Sequence, residues 1–388
     1  MIRQVEQFLA KLEQDRTGRP GRMALLANDD IIIGAGADDL IQLGRELLKR
    51  LNVLSIALVE PTLPFADYLI AKAPPAERCL IPRDTETRTF LHDIPFVRQT
   101  ELSDQPADQL ADLLGNRKGI IVEGLGIIAT GAVTPEQAYI NVSSVFHSVF
   151  VKYLLDLLKQ KQIGPKERKQ LEDFRQNWLK PLNVPHNKLL MAEALNNPED
   201  IYAEIARVGR ITVQLGLVDS FFGNISCCLG DTIYISQTAA SLDALEGCID
   251  PVPFDNSSTC GITASSELLA HRQVYEQTGA QTLLHGHPKF AVIMSMLCES
   301  TDCSIDDCWK DCPHVRQIGD IPIVAGEVGA GGLAQRIAPV IGKQGKVIVF
   351  GHGAFAIGHE GFNDSLESLI KTEQWCRLEY FRRLKANG

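Results

Sequence analysis

The sequence predicts an α/β protein built from two tandem units, and three observations carry that expectation. Length is the first, because 388 residues exceed one ordinary domain. Strand-like stretches with period-two apolar patterning alternating with helix-like stretches are the second. The third is an internal repeat. His92 to Gly131 lies on Gly319 to Gly358 without a gap, at an offset of 227 residues. Thirteen of those forty positions are identical, where average composition gives about two or three by chance. Asp-Ile-Pro-x-Val recurs at Asp93 and Asp320, and Ile-Val-x-Gly-x-Gly at Ile121 and Ile348. Proline, aspartate and both glycines keeping one offset point to duplication rather than to shared composition.

The chain opens on an amphipathic helix over Met1 to Asp15, with Val5, Phe8, Leu9 and Leu12 on one face and Arg3, Glu6, Lys11 and Glu13 on the other. Apolar alternation from Met23 to Ile33, a helix from Asp38 to Leu51 and a strand from Val53 to Val59 follow. Helical patterns at Ser143 to Lys161 and Pro165 to Leu179 end at Pro181 and Pro185. The polar stretch Asn183 to Asn187 is read as the boundary, giving domains 1–182 and 183–388. A helix from Pro198 to Leu215 opens the second domain, with Ile201, Ile205, Val208, Ile211 and Leu215 on its apolar face. Backwards from the repeat, Pro64-Phe65-Ala66 falls near Lys289-Phe290-Ala291 at an offset of 225. That alignment sets Glu60 and Thr62 at His285 and His287, and Leu125 stands at His352.

Charged residues make up 22% of the chain and hydrophobic ones 45%, as in ordinary water-soluble proteins. A formal charge of -10 argues against nucleic acid or an anionic membrane surface as partner and leaves a small-molecule substrate as the expected ligand. No run is long and apolar enough to span a bilayer, and the first residues do not read as a signal peptide, so the cytoplasm is the expected location.

His285 and His287 in Thr-Leu-Leu-His-Gly-His-Pro, with His352 in Val-Ile-Val-Phe-Gly-His-Gly, have the makings of a metal site. In an extended strand residues i and i+2 share a face, so the first two can offer imidazoles to one ion. Val347 to Phe350 reads as a strand that delivers His352 at its end. Three neutral imidazoles leave a tetrahedral zinc one open position, the mark of a catalytic site. The plainer reading is a pair of ordinary strand histidines, and it stays open on the residues alone.

The second half continues the pattern. Gly223-Asn224-Ile225-Ser226 is followed by a strand from Thr232 to Gln237, then Thr238-Ala239, Ser265-Ser266-Glu267, His285-x-His287 and Gly-His352-Gly. In this order and spacing, about Pro198 to Phe381 resembles the class II aldolase/adducin family, with a degenerate copy in the first half. The resemblance implies a three-layer αβα fold with a mixed, largely antiparallel central sheet in each domain. It implies His285, His287 and His352 as ligands of zinc or another divalent transition metal, and Glu267 as catalytic acid/base. Gly223, Asn224, Thr238, Ser265 and Ser266 would surround a substrate phosphate. The implied activity is an aldolase-type lyase working through an enediolate on a small hydroxylated carbonyl compound. Epimerases, dehydratases and decarboxylases share this apparatus, and adducin-like members bind without catalysis. Members commonly form rings of four, so a two-copy chain is expected as a homo-oligomer, a dimer reproducing a four-domain ring with the first copy as a pseudo-subunit. The alternative for that copy is a solubilising or regulatory module.

Local readings compete at several of these positions. Ser265-Ser266-Glu267 also reads as a serine N-cap with an acidic first turn before Leu268 and Leu269. Asn224 also fits a turn after Gly223, and Ser226 and Thr238 fit plain strand or turn hydroxyls. The family's usual Thr-Pro-Ser/Thr-Gly loop is replaced by Ser236-Gln237-Thr238-Ala239, which lacks the glycine that lets a phosphate approach. Cys298, Cys303, Cys308 and Cys312 lie outside the family pattern. They are candidates for a second metal or an iron-sulfur cluster, although no Cys-x-x-Cys knuckle is present; reduced loop thiols or redox disulfides are the alternative.

Overall fold

The computed structural model describes residues 1–160, 163–182, 190, 195–219, 221–298, 300, 303–305, 307–326 and 330–386. Two compact units divide at Leu154/Leu155, inside the helix Pro135–Lys159. Residues 183–187, where the sequence placed the boundary, lie outside the described residues.

The first unit holds seven strands, β1 (Gly18–Asn28), β2 (Ile32–Gly36), β3 (Ser55–Pro61), β4 (Cys79–Leu80), β5 (Ile94–Val97), β6 (Gly119–Val122) and β7 (Gly126–Gly131), in the order β2-β1-β3-β7-β6-β5-β4. Only β5 and β6 run parallel. Helices Asp38–Leu48 and Pro106–Leu114 bury Leu40, Leu47, Leu110 and Leu114 against Leu26, Ile56, Leu58 and Ile128. The helix Pro135–Lys159 covers the other face, where Val145 lies against Gly119 and the Ala138 amide against Gly131. It begins eight residues before the expected Ser143, with Pro135 as its first residue, where a missing N–H goes unused.

The second unit holds β8 (Asn224–Leu229), β9 (Thr232–Ser236), β10 (Ile249–Pro253), β11 (Thr282–Gly286), β12 (Arg316–Ile318), β13 (Ile321–Val324), β14 (Lys346–Val349) and β15 (Gly353–Gly358), in the order β10-β9-β8-β11-β15-β14-β13-β12. Among the described residues of this unit, only β13 and β14 run parallel. Helices Leu268–Thr278 and Ala330–Gln344 pack Ala270, Val274, Leu333, Ile337 and Ile341 against Ile233, Leu283, Val347 and Phe355. The opposite face meets the helix Asn363–Ala386, whose Leu369 lies against Gly286. Each unit is thus a mixed, largely antiparallel sheet with helices on both faces.

Apart from β10, the two sheets match strand for strand in order and in pairing sense. The offset of 227 holds within the ladders: Ile121 pairs with Phe96 as Ile348 pairs with Ile323, and Ser55 pairs with Gly131 as Thr282 pairs with Gly358. Side-chain bonds repeat as well. The Ser55 hydroxyl donates toward the carbonyls of Gly131 and Thr134, and the Thr282 hydroxyl toward those of Gly358 and Gly361. This register corrects the alignment at β3. Leu58 and Glu60, not Glu60 and Thr62, occupy the places of His285 and His287, and Leu125 keeps the place of His352. The shift of two arose because the ungapped match on Phe65-Ala66 crossed a loop that differs in length, whereas the sheet ladder admits no such slip.

Candidate metal centre

Three side chains from two neighbouring strands converge at one end of the second sheet. β11 supplies His285, and His287 follows one residue beyond its last residue, Gly286. β15 pairs antiparallel with β11, so the three-residue turn before Gly353 carries His352 alongside them. Gly351 makes that turn at φ +60. Its amide donates to the Ser295 hydroxyl at 2.9 Å, and the His352 amide donates to the Val349 carbonyl at 3.1 Å. Gly353 must be glycine: a Cβ there would strike the Gly286 carbonyl oxygen and lie 2.8 Å from His287 Cδ2 and 2.9 Å from His285 Cε1.

One ligand atom from each of His285, His287 and His352 falls within 4.8 Å of the others. The Nε2 atoms of His285 and His287 are 2.9 Å apart. His285 Nδ1 donates to the Ala354 carbonyl at 3.1 Å, which leaves its Nε2 lone pair facing the centre. Phe355 stacks on the His285 ring at 3.9 Å between centroids, and the His352 ring lies parallel to it at 5.1 Å. Burial lowers the pKa of His285 to about 4, so the ring is the neutral ligand a divalent cation requires.

Glu267 reaches the same point from the start of the helix Leu268–Thr278. Its Oε1 accepts from His352 Nε2 at 3.1 Å, and its Oε2 lies 3.6 Å from His285 Nε2. Asn224, the first residue of β8, donates its Nδ2 to Oε2 at 2.7 Å. Burial acts to raise the Glu267 pKa, and neighbouring histidine charge with the His352 and Asn224 hydrogen bonds outweighs it, holding the carboxyl well below its usual range.

The strand exit is also braced. Just after His287-Pro288, the amides of Phe290 and Ala291 donate to the buried Glu373 carboxylate at 3.1 and 3.0 Å. Arg377 donates to the same carboxylate at 3.0 Å. Glu373, His271, Tyr275 and Phe355 went unrecognised in the sequence. The available signal was Glu267, His271 and Tyr275 at i, i+4, i+8, a polar line within the buried face of the helix.

The residues expected around a phosphate are distributed differently. Gly223 packs against β11, since a Cβ there would meet the His285 carbonyl oxygen at 2.6 Å. Asn224 is a strand residue rather than a turn residue, with its amide given to Glu267 and its oxygen to His271. The Thr238 hydroxyl donates to the Ala264 carbonyl at 2.9 Å. Ser265 accepts from the Glu267 amide at 3.3 Å, so it bends the chain into the helix without capping it, and Glu267 holds the cap position. Ser266 is exposed.

Among the described residues, only the three histidines form a group of three or more potential ligands at metal-binding distance. Cys298, Cys303, Cys308 and Cys312 are all free thiols; they form no such group among the described residues, while Cys303, Cys298 and Cys312 lie close enough to Cys308 to help burial push its thiol up. The Cys308 thiol donates to the Ile305 carbonyl at 3.1 Å and also meets the Cys303 side chain, and the Cys312 thiol donates to the His314 carbonyl at 3.8 Å.

Residues 203–380 match the family model described as the class II aldolase and adducin N-terminal domain. The second half of the chain is a class II aldolase/adducin domain. Among solved structures, the L-fuculose-1-phosphate aldolase of Thermus thermophilus is similar at 24% identity, over 47% of this chain and 95% of that one, with a TM-score of 0.39. The sugar-phosphate aldolase of Thermotoga maritima is similar at 17% identity, over 46% and 94%, with a TM-score of 0.36. No curated protein sequence matches the chain. The three-histidine group and Glu267 lie inside the matched segment, whereas Leu58, Glu60 and Leu125 lie outside it. No helix among the described residues is long and apolar enough to cross a membrane.

Proposed function

We propose that the class II aldolase/adducin domain is a zinc-dependent lyase that makes or breaks a carbon-carbon bond beside a carbonyl in a small, hydroxylated, phosphorylated compound. The observation that carries this reading is the meeting of three imidazoles and one ionised carboxylate, with His285 neutral and its free nitrogen lone pair aimed at the centre. That donor set suits a divalent cation of zinc's preferences. When bound, the metal supplies a Lewis acid for the negative charge that an enediolate carries on its oxygens.

The chain's own groups divide the remaining work. His285, His287 and His352 would hold the cation. Glu267, an acceptor beside them, takes or returns the proton at the carbon that becomes nucleophilic. Of the residues that the resemblance puts around a phosphate, Gly223, Asn224, Thr238 and Ser265 are engaged within the fold, and the exposed Ser266 hydroxyl is the first donor to a phosphate. A homo-oligomer belongs to the same proposal, a dimer presenting four sheet units; a monomeric mass by light scattering at micromolar concentration would end that part.

Metal content per chain tests the centre. Wild type and Cys303→Ala should each carry one zinc, and His285→Ala should carry almost none. Full metal in His285→Ala would sink the assignment. Activity is then sought by retro-aldol cleavage of ketose 1-phosphates, with Glu267→Gln losing about 100-fold or more in kcat while keeping its zinc.

A further inference from the structure

Behind Glu267 runs a buried line of polar side chains that none of the chemistry above uses. His271 Nε2 lies 2.5 Å from Asn224 Oδ1, His271 Nδ1 lies 2.6 Å from Ser226 Oγ, and Ser226 Oγ lies 2.5 Å from the Tyr275 hydroxyl. Ser226 and His271 have no solvent exposure, and Tyr275 is buried. The line exists because two periods match. Residues four apart on a helix rise about 6 Å, and residues two apart on a strand rise about 6.6 Å. Glu267, His271 and Tyr275 on one helix face therefore fall in step with Asn224 and Ser226 on one face of β8.

Satisfying every member sets the direction of every bond. Asn224 donates its Nδ2 to Glu267 Oε2 at 2.7 Å, which leaves its Oδ1 to His271. An amide oxygen only accepts, so His271 must carry its proton on Nε2. A neutral ring protonated there accepts at Nδ1, so Ser226 donates, and its oxygen in turn accepts from Tyr275. We infer that His271 is a positioning residue: fixed as the Nε2-protonated tautomer by Ser226 and Tyr275, it locks the Asn224 amide and thereby aims the Glu267 carboxylate at the three-histidine centre. The purpose of that aim rests on the proposed lyase reading, while the donor order is a property of the fold.

Three measurements test it. In 15N-histidine-labelled protein at about pH 7, long-range proton-nitrogen correlation should show His271 neutral with its proton on Nε2. The signal is assigned by its loss in His271→Gln or, if that variant does not fold, by its displacement in Tyr275→Phe. A proton on Nδ1, or on both nitrogens, overturns the inference whether or not the protein is a lyase. Asn224→Asp keeps an acceptor for His271 and removes the donor to Glu267. It should lower kcat about 10- to 100-fold, the effect of losing one hydrogen bond to a charged group, with KM and zinc content unchanged. Equal loss in KM and zinc content would instead mark Asn224 as part of general scaffolding and overturn the inference. With Co2+ as probe, the visible spectrum should change in Asn224→Asp and stay unchanged in Cys303→Ala; an unchanged Asn224→Asp spectrum overturns it too. Wild type with the expected tautomer and cobalt response but no cleavage of any ketose phosphate refutes the lyase reading and upholds the positioning device.

Discussion

Acidifying the metal-free protein probes the two most deeply buried histidines of the centre together. Burial lowers the pKa of His271 to about 3 and of His285 to about 4, each from 6.5. A histidine whose folded pKa lies below its unfolded value contributes stability above the unfolded value and loses it as pH falls, because only the unfolded chain binds the proton. Between about pH 7.5 and pH 5.5 each unfolded ring goes from roughly a tenth to roughly nine-tenths protonated while its folded counterpart stays neutral, a loss of about 1.4 kcal/mol per residue. The two together cost about 2.7 kcal/mol. Urea unfolding at both pH values, followed through the transition of the C-terminal unit, measures it as a shift in midpoint at constant slope. His271→Gln should start from lower stability but show about half the pH effect, near 1.4 kcal/mol. A midpoint that does not move on acidification, or an undiminished effect in His271→Gln, would refute the burial and neutrality assigned to these rings.

Four further outcomes follow from the same geometry. Gly353→Ala, whose new methyl group would press on the Gly286 carbonyl and both imidazoles, should destabilise by about 1–3 kcal/mol and weaken zinc binding. Gly126→Ala, at the equivalent place in the first unit, should destabilise without touching zinc content. Glu373→Gln should lower the urea midpoint by the equivalent of about 1.5–3 kcal/mol, because two backbone amides and Arg377 lose a charged partner; a variant as stable as wild type would show that this brace does nothing. Leu58→His with Glu60→His and Leu125→His should raise zinc content from one to two per chain without doubling activity, and a doubled rate would show that Glu267 is dispensable.

Elements with a strong period were legible in the sequence. The opening helix, Asp38–Leu48, Pro198–Gln214 and the strands at Thr232 and Val347 fall where periodicity placed them, because one buried face dictates the residue spacing. His285, His287 and His352 were visible because short motifs at strand ends carry them. His271 and Tyr275 were not, since nothing local distinguishes a hydrogen-bonded core histidine from a merely buried one. Their partners, Asn224 and Ser226, lie 47 and 49 residues away in the chain, and only the pairing of β8 with β11 brings them near the centre. The alignment at Glu60 and Thr62 failed for a related reason: loop lengths are free to vary, while the strand register is held by backbone hydrogen bonds.

The two units show what separates a scaffold from a site. At the place of His285 the first unit has Leu58, fully buried among Leu26, Ile56 and Ile128, and at the place of Asn224 the β1 ladder sets Ala24. Glu60, at the place of His287, is paired with Arg19 at 2.6 Å and Arg22 at 2.9 Å, a polar cluster in water rather than a ligand in a dry pocket. Beyond point replacements, β2 leads directly into the helix Asp38–Leu48, while the second unit inserts residues 237–267 between β9 and the helix Leu268–Thr278. That insertion carries β10, Ser265 and Glu267, and Asp250 within it accepts from Gln237 and Thr263 to hold its two ends together. Seven strands and their register are therefore enough to fold the unit and to offer three ligand positions. A carboxylate beside those positions comes with the added segment, so Glu267 has no counterpart in the first unit although the two sheets match in strand order.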